Sequence, residues 1–569
     1  MAREAARPSR QVRRAQERRK PPTRKTLQKQ PTRKTLRVEH FVFALLIAAG
    51  SIAYHNALRG PFVLDDIPAI TWNPTIRTLW PPSTVLSPPP HSAATGRPIV
   101  NLSLALNYAV SGRNAVSYHV FNLAIHILSA LVLFAIILRT LGSPGLRSRH
   151  GDRAIVIATA AALLWVVHPL TSESVNYTIQ RTELLMGLFF LLTLYCAIRA
   201  FEPPERRGWY VPGLAAFALG LGSKEVIVVA PAVVFVYGWM FFSTSLRNAF
   251  RRHWPLYAGF AAVLLLYTLL IGTRLRRAFA GFSGRAITPW NYAMTQAGVI
   301  VHYLRLALWP HPLVADYDGW PIATSVTSVL PPLVVVVTLL ALTFWGLARR
   351  QKLALLGVWF FVILAPTSSF RPMPTEVAAE RRMYLPLAAV VLLVVLAGQA
   401  VLQRLGAPRA AGAVIVVALA AILALVTVRR NEDYRTILGF WSDVIAKRPD
   451  NPRAHGALGN YLFKQGRKAE ALEQLAEAVR IQPDNAYAQY RLGIVLASQG
   501  RTEEATARYR EAIRIDPDNV YAHYNLARVL IAQGLTIEAT EHLETAVRLQ
   551  PAFPQARRTL DDLRSRLSQ

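Results

Sequence analysis

Cysteine is nearly missing: Cys196 is the single one in 569 residues. One thiol excludes an internal disulfide, and no Cys/His spacing suits a structural zinc. Charged residues are scarce as well, at 17% of the chain, where a soluble protein carries about a quarter. Acid is scarcer still, with 33 Asp and Glu against 64 Lys and Arg. The run GLGSK at 220–224 lacks the spacing and the Ser/Thr of a phosphate-binding loop, which removes a nucleotide site there. Three or four soluble domains, which the length alone would allow, do not fit this composition.

What the chain has instead is apolar residue, 53% of the total, with a mean hydropathy of +0.27. Its net charge of +31 would ordinarily point to nucleic acid. The distribution argues otherwise. Residues 1–38 form a basic tail without apolar periodicity, carrying PTRKTL at 22–27 and again at 31–36. Such a segment buries too little to fold and has no aromatic residue for base stacking, so no nucleic-acid partner is expected. A disordered cytoplasmic arm facing anionic lipid is the reading it supports.

Residues 39–428 read as a polytopic membrane domain, because apolar runs of roughly 17–25 residues recur throughout. Eleven spans are expected, at 39–57, 116–139, 153–169, 182–199, 209–222 and 225–243, then 255–273, 328–347, 352–366, 383–402 and 409–428. Basic loops alternate correctly only if 292–309, with Gln296, His302 and Arg305, does not cross. The opposite face then collects the remaining polar residues. They are Asp65-Asp66 and Arg97 in loop 58–115, His168, Glu173 and Arg181 in HPLTSESVNYTIQR, Glu183 just after it, and Lys224-Glu225. Further on come Asp316-Tyr317-Asp318, then Glu376, Glu380, Arg381, Arg382 and Tyr384. Acids and arginines gathered at one membrane face mark a site.

Residues 429–569 are a helical repeat array. Pro449, Pro483, Pro517 and Pro551 are spaced by 34, as are Gly466, Gly500 and Gly534, and PDN recurs at 449–451, 483–485 and 517–519. These are tetratricopeptide repeats at 452–485, 486–519 and 520–553, with a capping helix after them. The fold class is therefore all-α, a membrane helical domain followed by an α-solenoid.

The order of motifs resembles the transmembrane and tetratricopeptide-repeat-containing protein O-mannosyltransferases, within the C-type membrane glycosyltransferases. The matching stretches are Asp65-Asp66, GRPIVNLSLALNY (96–108), YHVFNLAIHILSALVLF (118–134), HPLTSESVNYTIQRTELL (168–185), GLGSKE (220–225) and ERRMYLPLA (380–388), then the repeats. The resemblance implies a polyprenyl-phosphate sugar donor and a protein Ser/Thr acceptor presented by the repeats. It also implies a repeat domain outside, in the periplasm of a bacterial inner membrane or the lumen of the endoplasmic reticulum. Asp65 is then the base, by carry-over, and Asp66 orients the acceptor or binds metal. Glycosyl transfer needs that base, and cations or a divalent metal to stabilise the leaving phosphate. Lys224, Arg181, Arg381 and Arg382 are the candidate phosphate contacts, each equally open to a structural ion pair. Arg97, His168, Glu173, Glu183, Glu225, Glu380 and Tyr384 are candidates for positioning substrate. Asp316 and Asp318 suit a hard cation, magnesium or manganese, or a solvated turn. A lipid-linked glycan ligase and a transporter or scaffold are the competing functions.

Overall fold

The computed structural model describes residues 33–90, 92–143, 145–279, 287–369, 372–373 and 376–567. Among the described residues the regular structure is helical throughout. The expected tail lies outside them up to position 32. From Arg33 the chain is helix, Arg33–Tyr54, six residues ahead of the expected first span. No Pro interrupts this stretch, and Lys34, Leu36, Arg37 and Glu39 near its start are good helix formers.

Among the described residues seven helices are long and apolar enough to cross a membrane, and an eighth crossing arises if the bent pair Arg147–Val166 and Pro169–Asn176 counts as one. Eleven are expected; of the four that are not single-helix candidates, 39–57 falls largely in Arg33–Tyr54, and the other three have a physical cause in length or bending. The segments 209–222 and 352–366 fold as Tyr210–Leu221 and Ala354–Leu364, of 12 and 11 residues. At 1.5 Å per residue they reach about 18 Å, well short of a ~30 Å hydrocarbon core. The 153–169 segment bends by 54° where Pro169 lacks an N–H to continue the helix. Pro289–Leu308 is 20 residues long yet is not a spanning candidate, in line with its polar content. It buries Tyr292, Thr295, Gln296 and Tyr303 inside the protein.

Ala115–Leu141 is the central helix, packed against Arg33–Tyr54, Ala154–Val166 and Arg181–Phe201. Small residues bring neighbours close: a methyl on Gly213 would lie 3.2 Å from Cys196 Cβ. Polar groups on that helix tie it to others. His119 bonds Gly60 O, Asn122 donates to the carbonyls of Val175 and Thr178, and His126 bridges Val166 O and the Tyr384 hydroxyl.

In the C-terminal region the 34-residue period becomes paired antiparallel helices. Asn451, Asn485 and Asn519, from the PDN motifs, each cap the next helix by accepting from the N–H three residues on. Gly466, Gly500 and Gly534 turn the chain at φ of +79°, +78° and +77°, a conformation that other residues adopt only at a cost. Close pair packing gives a test. A methyl on Gly493 would sit 2.7 Å from the buried ring of Tyr509. Gly493→Ala should destabilise the array by about 1–3 kcal/mol, read from thermal unfolding of the full chain. Pro554–Leu567 closes the end, turning Ala556, Leu560 and Leu563 inward.

Candidate active site

The two adjacent carboxylates of the first loop do different things. Asp66 is fully buried, and its Oδ2 accepts from Val63 N–H at 3.0 Å while Oδ1 accepts from Ile179 N–H at 2.7 Å. It therefore clips the loop to the 177–180 segment. Burial pushes its pKa up to about 8, against the pull of those N–H groups. The clip also holds Leu64 at φ +47°, a strained value for a residue with a side chain. Asp65, next along, is exposed, and its backbone N–H donates to the Tyr177 hydroxyl at 2.8 Å. Its carboxyl is raised above the usual range, first by the protein crowding it and then by Glu376. Arg381 and Arg453 oppose that rise.

Around Asp65 stands an ion network. Arg381 Nη1 meets Glu173 Oε1 at 2.5 Å, its backbone N–H reaches Glu173 Oε2 at 2.8 Å, and its Nη2 pairs with Glu376. Burial would raise Glu376, but Arg381 and Arg382 outweigh it and hold the carboxyl at about 2. Behind this lies Glu380, fully buried. Its Oε1 accepts from Val314 N–H and the Tyr317 hydroxyl, and its Oε2 has no partner. A second group forms where Ile99 N–H bonds Gly222 O at 3.0 Å. There Arg97 pairs with Glu225 at 3.4 Å and Lys224 pairs with Glu183.

Several expected roles do not fit this geometry. Arg181 is fully buried, with its guanidinium spent on Asn122 Oδ1 and the carbonyls of Ser103 and Tyr118, so a donor phosphate cannot reach it. Arg382 is likewise turned inward onto the carbonyls of Thr367, Glu376 and Val377. His168 is a buried cap: Nδ1 accepts from Leu170 N–H and Nε2 donates to Ala307 O. Tyr384 is buried under Gly187, against Trp165 and His126. Glu380 is sealed from substrate, and Glu173 is 1% exposed and bound to Arg381. Asp316 and Asp318 both face Arg453, at 3.0 and 3.5 Å, and Asn451 also donates to Asp316. A cation already sits there, which does not suit a metal. Among the described residues no three His, Cys, Asp or Glu gather as ligands.

A family model for dolichyl-phosphate-mannose-protein mannosyltransferases matches residues 91–271. Tetratricopeptide-repeat models match 459–500, 495–534 and 520–553. Among curated proteins, Protein O-mannosyl-transferase F38B6.6 of Caenorhabditis elegans is 24% identical over 77% of this chain and 62% of its own length. Protein O-mannosyl-transferase TMTC4 of Mus musculus is 26% identical over 74% of this chain and 64% of its own. A solved structure, the crystal structure of MamA, is 22% identical over 23% of this chain and 77% of that one, at a TM-score of 0.22. The chain is a repeat-bearing membrane protein related to the O-mannosyl-transferases. It spans somewhat over three fifths of the length of the two relatives.

In this relative of the O-mannosyl-transferases, the mannosyltransferase match takes in Arg97, Glu173, Glu183, Lys224 and Glu225 but begins after Asp65 and Asp66. Two residues beside the acidic loop were not foreseen. Tyr177 stands inside the HPLTSESVNYTIQR motif, yet a tyrosine between Asn176 and Thr178 gives no sign of its partner. Arg453 lies on a repeat helix, where an arginine reads as ordinary surface.

Proposed function

We propose that this protein is an integral-membrane glycosyltransferase that moves a sugar, mannose or a similar hexose, from a polyprenyl-phosphate donor to a hydroxyl, with protein Ser/Thr as acceptor. The observation that supports it best is the carboxylate of the exposed residue Asp65, on a loop fixed by Asp66 and Tyr177 beside the Arg381 network. The named relatives are O-mannosyl-transferases, and the match to a dolichyl-phosphate-mannose-dependent family supports the donor class. In this reading Asp65 takes the acceptor proton as the hydroxyl oxygen bonds to the anomeric carbon. The bond to phosphate breaks, and polyprenyl phosphate leaves. Arg381, Lys224 and Arg97, each beside a carboxylate, supply the positive field for the developing phosphate charge. Asp66 is a positioning residue.

The chain divides, on the same reading, into a tail at 1–38, a transferase domain at 39–428 and repeats at 429–569 that hold the acceptor on the outer face. Eleven crossings would follow if the short helices pass the bilayer with their flanking turns. The test uses full-length protein in nanodiscs with a panel of polyprenyl-phosphate monosaccharides and a Ser/Thr-rich peptide. Release of free polyprenyl phosphate, measured by mass spectrometry, should require both donor and peptide. Peptide-independent release with every donor would sink the reading.

A pH dependence follows from the position of Asp65. The base must be ionised, so kcat/KM falls as pH drops through its pKa, which lies above the usual carboxylate value. Arg453 favours the ionised form. Arg453→Gln should therefore move the acid limb of the kcat/KM profile to higher pH, and Arg453→Lys should largely restore it. An unmoved limb would separate Arg453 from the site.

A further inference from the structure

A cavity of about 560 Å³ opens between Pro386–Arg404 and Ala410–Glu432, far along the chain from the acidic loop. Its apolar wall is a single helical face: Leu419, Ile422, Leu423 and Val426 at successive intervals of three, one and three, opposite Val391 and Val394. The same face continues to Arg429, Arg430 and Asp433, and Lys447 of the first C-terminal helix completes the polar end. At 1.5 Å per residue, Leu419 to Arg429 is about 15 Å. The groove is open to the bilayer: Leu419 is 42% exposed, and Trp309 at its rim is 68% exposed.

The charged end is incompletely satisfied. Arg430 is 4% exposed, with Nη1 on Asp433 and Asp443 and Nη2 on the Tyr434 hydroxyl, yet its Nε–H has no acceptor. Lys447 pairs with the same two aspartates. Arg429 is exposed and has no ion-pair or hydrogen-bond partner among the described residues. Arg430 and Lys447 are offset by Asp433 and Asp443, and Arg430 also faces Glu380, which leaves Arg429 as the positive charge without a carboxylate partner at the head of the apolar track. That pattern is complementary to a lipid with an anionic phosphate.

We propose that this groove binds one anionic phospholipid of the leaflet on the repeat side, its chain along Leu419–Val426 and its phosphate at the exposed Arg429, above the buried Arg430. The donor lipid is a poorer occupant. Its phosphoryl sugar must reach Asp65, whose charged neighbours are Glu376, Arg381 and Arg453, none of them in the groove. The site lies at the elbow between the last span and the repeats, so the lipid would brace that elbow. This inference does not depend on the transferase reading.

The test is native mass spectrometry of the full chain, taken from nanodiscs of equal phosphatidylglycerol and phosphatidylcholine into detergent. Wild type should retain about one phosphatidylglycerol in preference to phosphatidylcholine. Arg429→Gln should lower retention about fivefold, the worth of one basic residue at an anionic surface. Val426→Trp should abolish retention by filling the groove, and Arg404→Gln, at the other end of the neighbouring helix, should leave it unchanged. Should Val426→Trp fail to fold, the exposed Arg429→Gln change decides. Equal retention of the two phospholipids, no effect of Arg429→Gln, or polyprenyl phosphate added to the discs displacing phosphatidylglycerol would overturn the proposal.

Discussion

Asp65→Asn should lower sugar transfer by about 10²–10⁴-fold, the usual worth of a positioned general base, and leave the melting temperature close to that of wild type. The reason lies in how the loop is held. Asp65 contributes its backbone N–H to Tyr177, and the residue as a whole is exposed. Asp66 holds the turn from beneath. Asp66→Asn should therefore show the opposite pattern. An amide keeps one acceptor oxygen but sets its NH₂ against one of the buried N–H groups, a cost of about 1–3 kcal/mol. Released polyprenyl phosphate and thermal unfolding, measured on both variants, separate the two roles. Full activity in Asp65→Asn would remove it as the base.

Arg381→Ala should be among the most damaging single changes for folding. It would strip Glu173, 1% exposed, of both its guanidinium partner and much of the reason for its position. Leaving a buried carboxylate unpaired costs roughly 3–5 kcal/mol. Glu173→Gln with Arg381→Met, which removes both charges together, should recover most of the folded yield but not the transfer activity. Heating followed by size-exclusion chromatography reads the stability. If the double variant is no better than Arg381→Ala, Glu173 is not what Arg381 compensates.

These two experiments fall on parts of the molecule that the sequence treated unequally. The repeats were readable because their geometry is written at fixed intervals: a glycine turn and an asparagine cap recur every 34 residues, each needed locally. Apolar runs located the membrane helices, but hydropathy does not register where a helix stops short. Pro169, and the 11 and 12 residues of two helices, changed the number of crossings that helix length alone supports. At the site, loops and signs of charge were legible while pairings were not. Lys224 and Glu183 are 41 residues apart, Arg381 and Glu173 are 208 apart, and nothing local records either contact. The same blindness made Arg181 look like a phosphate ligand, when three internal acceptors already take its N–H groups.

Only residues 433–436 separate the last span from the first C-terminal helix, and Arg448, Asn451 and Arg453 then fasten the array to Gly319, Asp316 and Asp318. The array is thus a fixed arm and not a tethered one. On the proposed transferase reading, an acceptor held by the array would reach Asp65 only if its hydroxyl stood a set number of residues from the held stretch. The arm would act as a ruler, choosing among serines and threonines by their distance along the chain instead of by the sequence around them.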